Sequence, residues 1–119
     1  LGVVDDHLAQ AETAYAKEKR YYFVLFEAGA IYMKLKDYDK AIACFQKYME
    51  MSPESYELLA KIGTCYLAQV KLPEAKQKYQ EALRIQPEYE AAGMGLKKIE
   101  EMEQRIGFER RPKSERLAV

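Results

Sequence analysis

The side chains that could carry out chemistry are few and scattered in this 119-residue chain. There is one histidine, His7, and there are two cysteines, Cys44 and Cys65. His7 has no second candidate ligand beside it, and the cysteines do not lie at metal-site spacing. Both cysteines fall within amphipathic helix patterns, which indicates buried free thiols. We therefore expect no metal site and no catalytic residue among them.

The acidic side chains alternate with basic ones, as in Glu74, Lys76 and Lys78. Such alternation is typical of a solvated helix surface. The sequence has no glycine-rich phosphate loop and no nucleophile motif. We predict that the chain is not an enzyme and uses no cofactor.

The composition is that of a globular helical protein, with 49% apolar and 32% charged residues. Nineteen basic and nineteen acidic residues cancel, so nothing indicates direct nucleic-acid binding. No apolar run is long enough to span a membrane. Free cysteines and the absence of asparagine favour an intracellular protein, cytoplasmic or nuclear. The chain begins with leucine in mid-pattern, so we expect an excerpt of a longer protein.

The strongest feature of the sequence is an internal repeat with a period of 34 residues. The segment from Tyr56 to Pro87 has a near copy that ends at Pro53. Seven positions are identical at this fixed offset: Leu25 and Leu59, Gly29 and Gly63, Tyr32 and Tyr66, Ala41 and Ala75, Gln46 and Gln80, Pro53 and Pro87, and Glu54 and Glu88.

This period and these residues resemble the tetratricopeptide repeat, whose pattern is Leu-Gly-x2-Tyr, then Ala-x3-Phe, then Pro. The second copy fits closely, whereas in the first copy Tyr48 stands where the second has the small Ala82. The resemblance implies an all-α fold, an α-α superhelix or solenoid of antiparallel helix hairpins. An unrelated helical bundle is the alternative, but a bundle does not require a fixed period.

Each predicted inner helix contains a glycine, although glycine costs about 1 kcal/mol there relative to alanine. A glycine tolerated at this cost suggests a close approach by a second helix. We expect Ala41 and Ala75 to supply the other side of this approach at Gly29 and Gly63. The aromatic residues of the pattern are expected to fill the space between successive hairpins.

The repeat divides the chain into five parts. Residues 1–21 form an N-terminal helix. The motif Ala11-x3-Tyr15 is similar to Ala75-x3-Tyr79, which suggests that this helix is the outer helix of a truncated repeat. One long continuous helix is the alternative. Residues 22–55 and 56–89 are the two repeats. Residues 90–107 are a capping helix, and residues 108–119 are a basic tail.

Helix boundaries follow from proline, glycine and capping residues. We expect helices over about 22–35, 38–51, 54–70, 72–85 and 88–106. Ser52 is expected to cap the third of these helices, with Pro53 in its first turn. Gly107 is expected to end the last helix. The tail is expected to be flexible, or to serve as a docking or phosphorylation segment around Ser114.

The resemblance implies a protein–protein interaction module that binds a peptide or helix of a partner in a concave groove. The alternative is a structural scaffold segment of a longer solenoid in a multi-subunit assembly. Some members of the family grip the C-terminal carboxylate of a chaperone with Lys, Arg and Asn side chains. This chain contains no asparagine, and the corresponding places hold Phe26 and Ala30 in the first copy and Lys61 in the second, so we expect no such binding.

The groove is expected on the inner helices, and its first-repeat end is unusually apolar. Either the segment from Leu8 to Tyr15 covers this end, or an amphipathic helix of a partner docks there. The predicted groove residues are Phe23, Phe26, Ala30, Met33 and Lys34 in the first copy, and Glu57, Ala60, Thr64 and Leu67 in the second.

Overall fold

The computed structural model describes residues 20–117, which contain helices and no strand. This confirms the all-α class. None of the described helices is both long enough and apolar enough to cross a membrane. The helices are α1 (residues 20–34), α2 (Tyr38–Met49), α3 (Tyr56–Ala68), α4 (Leu72–Ile85), α5 (Glu90–Glu109) and α6 (Lys113–Leu117).

The chain forms two compact units, one ending at Pro53 and the other beginning at Glu54. In the described part of the first unit, α1 and α2 form an antiparallel hairpin. Its core comes from the apolar face of α2, where Ala41 and Phe45 have no exposed surface and Ile42 is buried. Residues 1–19 of the predicted N-terminal helix lie outside the described residues, and residues 20 and 21 belong to α1.

The second unit contains α3 to α6, with α3 packed against α4 and α4 against α5. Its largest buried side chains are Tyr79, Leu58, Ile62 and Ile99. No polar or charged residue is buried within the described range. Burial of apolar surface, rather than a polar network, therefore holds this unit together.

Each hairpin turns through a residue with positive φ, Lys36 at 61° and Val70 at 58°. The two positions are one repeat period apart. In each turn, the backbone N–H of the next residue donates to a carbonyl near the end of the inner helix, Asp37 to Tyr32 and Lys71 to Tyr66, both at 2.9 Å. The turn is thus the same structure built twice.

Two predicted helix boundaries were wrong, one at the start of α3 and one at the end of α5. The prediction that Ser52 caps α3 is wrong, because the Ser55 hydroxyl accepts from the Leu58 N–H at 3.4 Å and α3 begins at Tyr56. The prediction that Gly107 ends α5 is also wrong. Gly107 lies within α5 with negative φ and open space around it, so nothing forces the helix to stop. The bounds of α4 agree with the prediction.

Candidate functional site

An open, mainly apolar pocket lies in the first unit, beside the first half of α1 and the end of α2. Its volume is about 540 Å³, which is within the range of about 300–1,000 Å³ common for ligand sites. The pocket, called here the α1 pocket, is lined by Arg20, Tyr22, Phe23, Phe26, Tyr48 and Met51.

Ring contacts fix the walls of the α1 pocket. The Phe26 ring lies 6.2 Å from that of the buried Phe45 and 6.1 Å from that of Tyr48. The Tyr22 ring lies 6.0 Å from that of Tyr48 in an edge arrangement. Aromatic pairs at these distances are stabilising. Phe23, in contrast, is 59% exposed, so the pocket has a fixed aromatic wall and one free aromatic side chain.

Four residues that line the α1 pocket were not among the predicted groove residues: Arg20, Tyr22, Tyr48 and Met51. Tyr48 is the one of these that the repeat pattern singles out. The residue was noted only as a departure from the small Ala82 of the second copy. Ala82 has no exposed surface, whereas the Tyr48 ring extends between Tyr22 and Phe26 and is half-buried. The sequence did contain a signal for this position, because the large Tyr48 stands where the second copy has the small Ala82.

The other predicted groove residues of the first copy lie farther along α1. Ala30 and Met33 are half-buried and Lys34 is exposed. None of the three lines the α1 pocket. Within the first unit, the pocket therefore brings together two of the predicted residues, Phe23 and Phe26.

In the second copy, the predicted residues differ in what they can offer a partner. Glu57 is exposed and Leu67 is half-buried, but Ala60 is only 4% exposed. The Thr64 hydroxyl donates to the Ala60 carbonyl at 3.0 Å and shares a hydrogen bond of 2.8 Å with the Tyr79 hydroxyl. Thr64 thus has a clear structural role, because it holds the end of the Tyr79 side chain.

Two tyrosines lie at the starts of helices: Tyr56 is the first residue of α3, and Tyr89 is the N-cap residue just before α5. The rings of Tyr56 and Tyr89 lie 4.9 Å apart at 71°. Burial raises the pKa of the Tyr89 hydroxyl, and the Glu57 carboxylate raises it further. Both tyrosines are half-buried, so they add aromatic surface near Glu57 that the sequence reasoning did not identify.

The glycines of the inner helices accommodate aromatic rings, not the alanines we expected. A Cβ added at Gly29 would meet the Phe45 ring at 2.5–2.8 Å, and one at Gly63 would meet the Tyr79 ring at 3.0–3.2 Å. Gly95 on α5 also lies against the Tyr79 ring. The Tyr79 side chain therefore occupies a slot between two helices, each of which presents a glycine to it.

The two cysteines are free. Burial raises the pKa of Cys65 to about 11, which keeps the thiol protonated and unreactive near neutral pH. Within residues 20–117, no cluster of three or more His, Cys, Asp or Glu side chains could hold a metal ion.

Two paired helices per 34 residues, with a glycine of the inner helix against an aromatic residue of the outer one, define a protein built of helical-hairpin repeats. Residues 22–55 match the family model of the tetratricopeptide repeat. This match covers the first of the two copies found in the sequence. The resemblance found in the sequence is confirmed.

Solved structures of tetratricopeptide repeat domains have a similar fold. The first such domain of Spaghetti (RPAP3), bound to the HSP90 peptide SRMEEVD, is 25% identical, with a TM-score of 0.67 over 74% of this chain and 72% of that one. The second domain of human RPAP3, in complex with the HSP70 peptide SGPTIEEVD, is 24% identical, with a TM-score of 0.63 over 67% of each chain.

A third similar structure is the second domain of Spaghetti (RPAP3), also bound to SRMEEVD. It is 19% identical, with a TM-score of 0.66 over 76% of this chain and 84% of that one. A comparison with curated protein sequences finds no match. The structural similarities confirm the predicted architecture of helical hairpins.

Proposed function

We propose that this chain is a non-catalytic protein–protein interaction module that binds a segment of a partner protein at the α1 pocket. The observation that carries the proposal is the open pocket of about 540 Å³ with Phe23 59% exposed at its edge. An exposed aromatic beside a fixed aromatic wall is the kind of surface at which binding energy concentrates.

The lining favours a particular kind of segment. Four aromatic rings and the Met51 thioether suit a large apolar side chain, and Met adapts to irregular shapes. Arg20 is exposed at the edge of the pocket and can pair with a carboxylate. The segment would thus carry an apolar anchor with an acidic group nearby.

The similar domains support a protein segment as ligand, because all three are bound to peptides. Two of the three bind an HSP90 peptide and one an HSP70 peptide. Our sequence-based exclusion of chaperone C-terminal binding was argued from the missing asparagine, and these complexes contradict it. SRMEEVD is accordingly a suitable first probe. The predicted cytoplasmic or nuclear location remains a prediction.

The energy available at Phe23 can be estimated. A phenylalanine buries roughly 150–250 Å², so 59% exposure leaves roughly 100 Å² to cover. At about 25 cal/mol per Å², covering it contributes about 2.5 kcal/mol. Removing the ring should weaken binding by at least about tenfold.

The test compares wild type, Phe23→Glu and the control Phe108→Glu, which changes an exposed phenylalanine of α5. Phe26 is a poorer target because its ring packs against Phe45. Labelled SRMEEVD is titrated into each protein. Immobilised proteins are also exposed to a cell extract, and captured proteins are quantified by mass spectrometry. Melting temperatures verify folding.

We expect Phe23→Glu to melt like wild type but to lose ligands that Phe108→Glu retains. Binding of SRMEEVD that is lost only in Phe23→Glu would place this peptide at the pocket. If Phe23→Glu retains every protein and peptide that wild type binds, the α1 pocket is not the binding surface and the proposal fails.

A further inference from the structure

Five residues carry the aliphatic hydroxyl group that a serine or threonine kinase modifies: Thr13, Ser52, Ser55, Thr64 and Ser114. A kinase transfers phosphate only to a hydroxyl group that its active site can reach. Thr13 lies outside the described residues. The surroundings of the other four hydroxyl groups differ, and this difference selects one residue.

Two of these hydroxyl groups stabilise α3. Ser55 caps the helix, since its Oγ accepts a hydrogen bond from the Leu58 N–H at 3.4 Å. Thr64 lies within the helix, where its hydroxyl is bonded to the Ala60 carbonyl at 3.0 Å and to the Tyr79 hydroxyl at 2.8 Å. Neither hydroxyl group is available to a kinase unless these hydrogen bonds break and α3 opens.

Ser114, in contrast, lies in α6 with an exposed side chain. Its hydroxyl has no hydrogen-bond partner within residues 20–117. Every residue from 107 to 115 is exposed. An enzyme can therefore approach Ser114 along a continuous exposed segment of the chain.

The charge before Ser114 also distinguishes this residue. Kinases select substrates partly by charge pattern, and a guanidinium group binds a carboxylate through two parallel hydrogen bonds. Arg111 stands three residues before Ser114, with Arg110 beside it. This spacing is the one that arginine-directed serine kinases recognise. Ser52 has the uncharged Met49 at the same spacing.

We propose that Ser114 is a phosphorylation site for an arginine-directed serine kinase, which recognises Arg111. The phosphate donor is ATP. The Ser114 Oγ forms a bond to the γ-phosphorus, and the bond from this phosphorus to the bridging oxygen of ADP breaks. The hydroxyl proton passes to the catalytic aspartate of the kinase.

Presenting Ser114 to a kinase disturbs little of the fold. Helix α6 has only five residues, and isolated helices of this length are marginal in water. Its Glu115 and Arg116 N–H groups donate to the nearby Pro112 carbonyl at 3.0 and 3.1 Å. The Arg116 Nε is buried with no hydrogen-bond partner among the described residues, so extending the chain would return this donor to water. The segment can therefore be extended while α3, α4 and α5 stay packed.

Phosphorylation would change the charge of this segment. Residues 109–117 contain four basic and two acidic side chains, so their net charge is +2. A phosphate group adds about −1.5 to −2 near pH 7. The modification would therefore remove the basic character of the segment around α6.

The experiment gives the full chain ATP, Mg²⁺ and a purified arginine-directed serine kinase. Wild type, Ser114→Ala, Arg111→Ala and the control Arg105→Ala are compared. Arg105 is an exposed arginine of α5 that lies nine residues before Ser114. Tandem mass spectrometry locates the phosphate, initial rates give kcat/KM, and circular dichroism spectra verify folding.

We expect one phosphate per wild-type chain, located on Ser114, and none on Ser114→Ala. Arg111→Ala should lower kcat/KM by about tenfold or more, because a charge-assisted hydrogen bond to the kinase is lost. Arg105→Ala should react like wild type.

Three results would overturn the proposal. If wild type gains no phosphate on Ser114, this residue is not the site. If Arg111→Ala reacts as fast as wild type, the kinase does not recognise Arg111. Thr64 has Lys61 three residues before it, so modification of Thr64 as fast as that of Ser114 would mean that hydrogen bonding does not select the site. Ser114 does not line the α1 pocket, so failure here is distinct from failure of the proposed function.

Discussion

Replacing three helical glycines by alanine would separate the effect of helix propensity from that of packing. Alanine gains about 0.5–1 kcal/mol over glycine within a helix. At Gly93 no atom lies within 4 Å of the new methyl group, so Gly93→Ala should stabilise the protein by that amount. This variant measures the propensity gain alone.

At Gly29 the same methyl group would meet the Phe45 ring at 2.5–2.8 Å. Phe45 has no exposed surface, so its ring has nowhere to move without disturbing the core. Overpacking of this kind costs about 1–3 kcal/mol. After subtracting the propensity gain, Gly29→Ala should be destabilising by about 1–2 kcal/mol.

Gly63→Ala should lie between these two. The added methyl group would meet the Tyr79 ring at 3.0–3.2 Å, a closer approach than ordinary contact but less severe than at Gly29. The Tyr79 ring cannot withdraw freely because Gly95 lies on it from another helix. We expect Gly63→Ala to be destabilising by about 0–1 kcal/mol.

The assay is urea unfolding followed by circular dichroism. The expected order of stability is Gly93→Ala, wild type, Gly63→Ala and Gly29→Ala. If Gly29→Ala stabilised the protein as much as Gly93→Ala, then Phe45 would not press on α1, and the packing account of the repeat glycines would be wrong.

Two further predictions concern a turn and a thiol. Val70→Gly should raise the urea midpoint, with a gain of about 1 kcal/mol in the free energy of unfolding, because Val70 has φ 58° and is 58% exposed. Lys36→Gly should gain less, since lysine is not β-branched. An unchanged midpoint for Val70→Gly would count against strain in this turn. Burial raises the pKa of Cys65 from 9.0 to about 11, so its contribution to stability is complete below pH 9 and is lost as the pH rises to about 11. Wild type should therefore lose more stability than Cys65→Ala between pH 9 and pH 11, and equal losses in urea titrations would contradict the assignment.

The period of 34 residues was sufficient to predict the hairpins, because both hairpins bury the glycine, the alanine and the aromatic residue of the pattern at the same repeat positions. The pairing of α1 with α2, and of α3 with α4, follows from residues identical at that offset. The bounds of α4 were predicted from Leu72-Pro73, since proline is favoured in the first turn of a helix.

Features that depend on which of several suitable residues is used could not be predicted. Ser52 and Ser55 both suit an N-cap, and the backbone path of residues 52–55 decides between them. The α1 pocket depends on Tyr48. The repeat pattern shows only that Tyr48 differs from the alanine of the second copy, and this does not predict where the Tyr48 ring lies. Gly95 was missed because it does not fall at the repeat offset, although it has the same packing role.

The slot that holds Tyr79 has a consequence for how the second unit opens. The Tyr79 side chain is 2% exposed, contacts glycines on α3 and α5, and shares a hydrogen bond with Thr64. If α3 or α5 detached, the Tyr79 ring would become exposed while it remained packed against the other of these two helices. Such a shared side chain disfavours partial opening. Helices α3, α4 and α5 should consequently exchange their amide hydrogens as one cooperative block, rather than fraying one helix at a time from the C-terminal end.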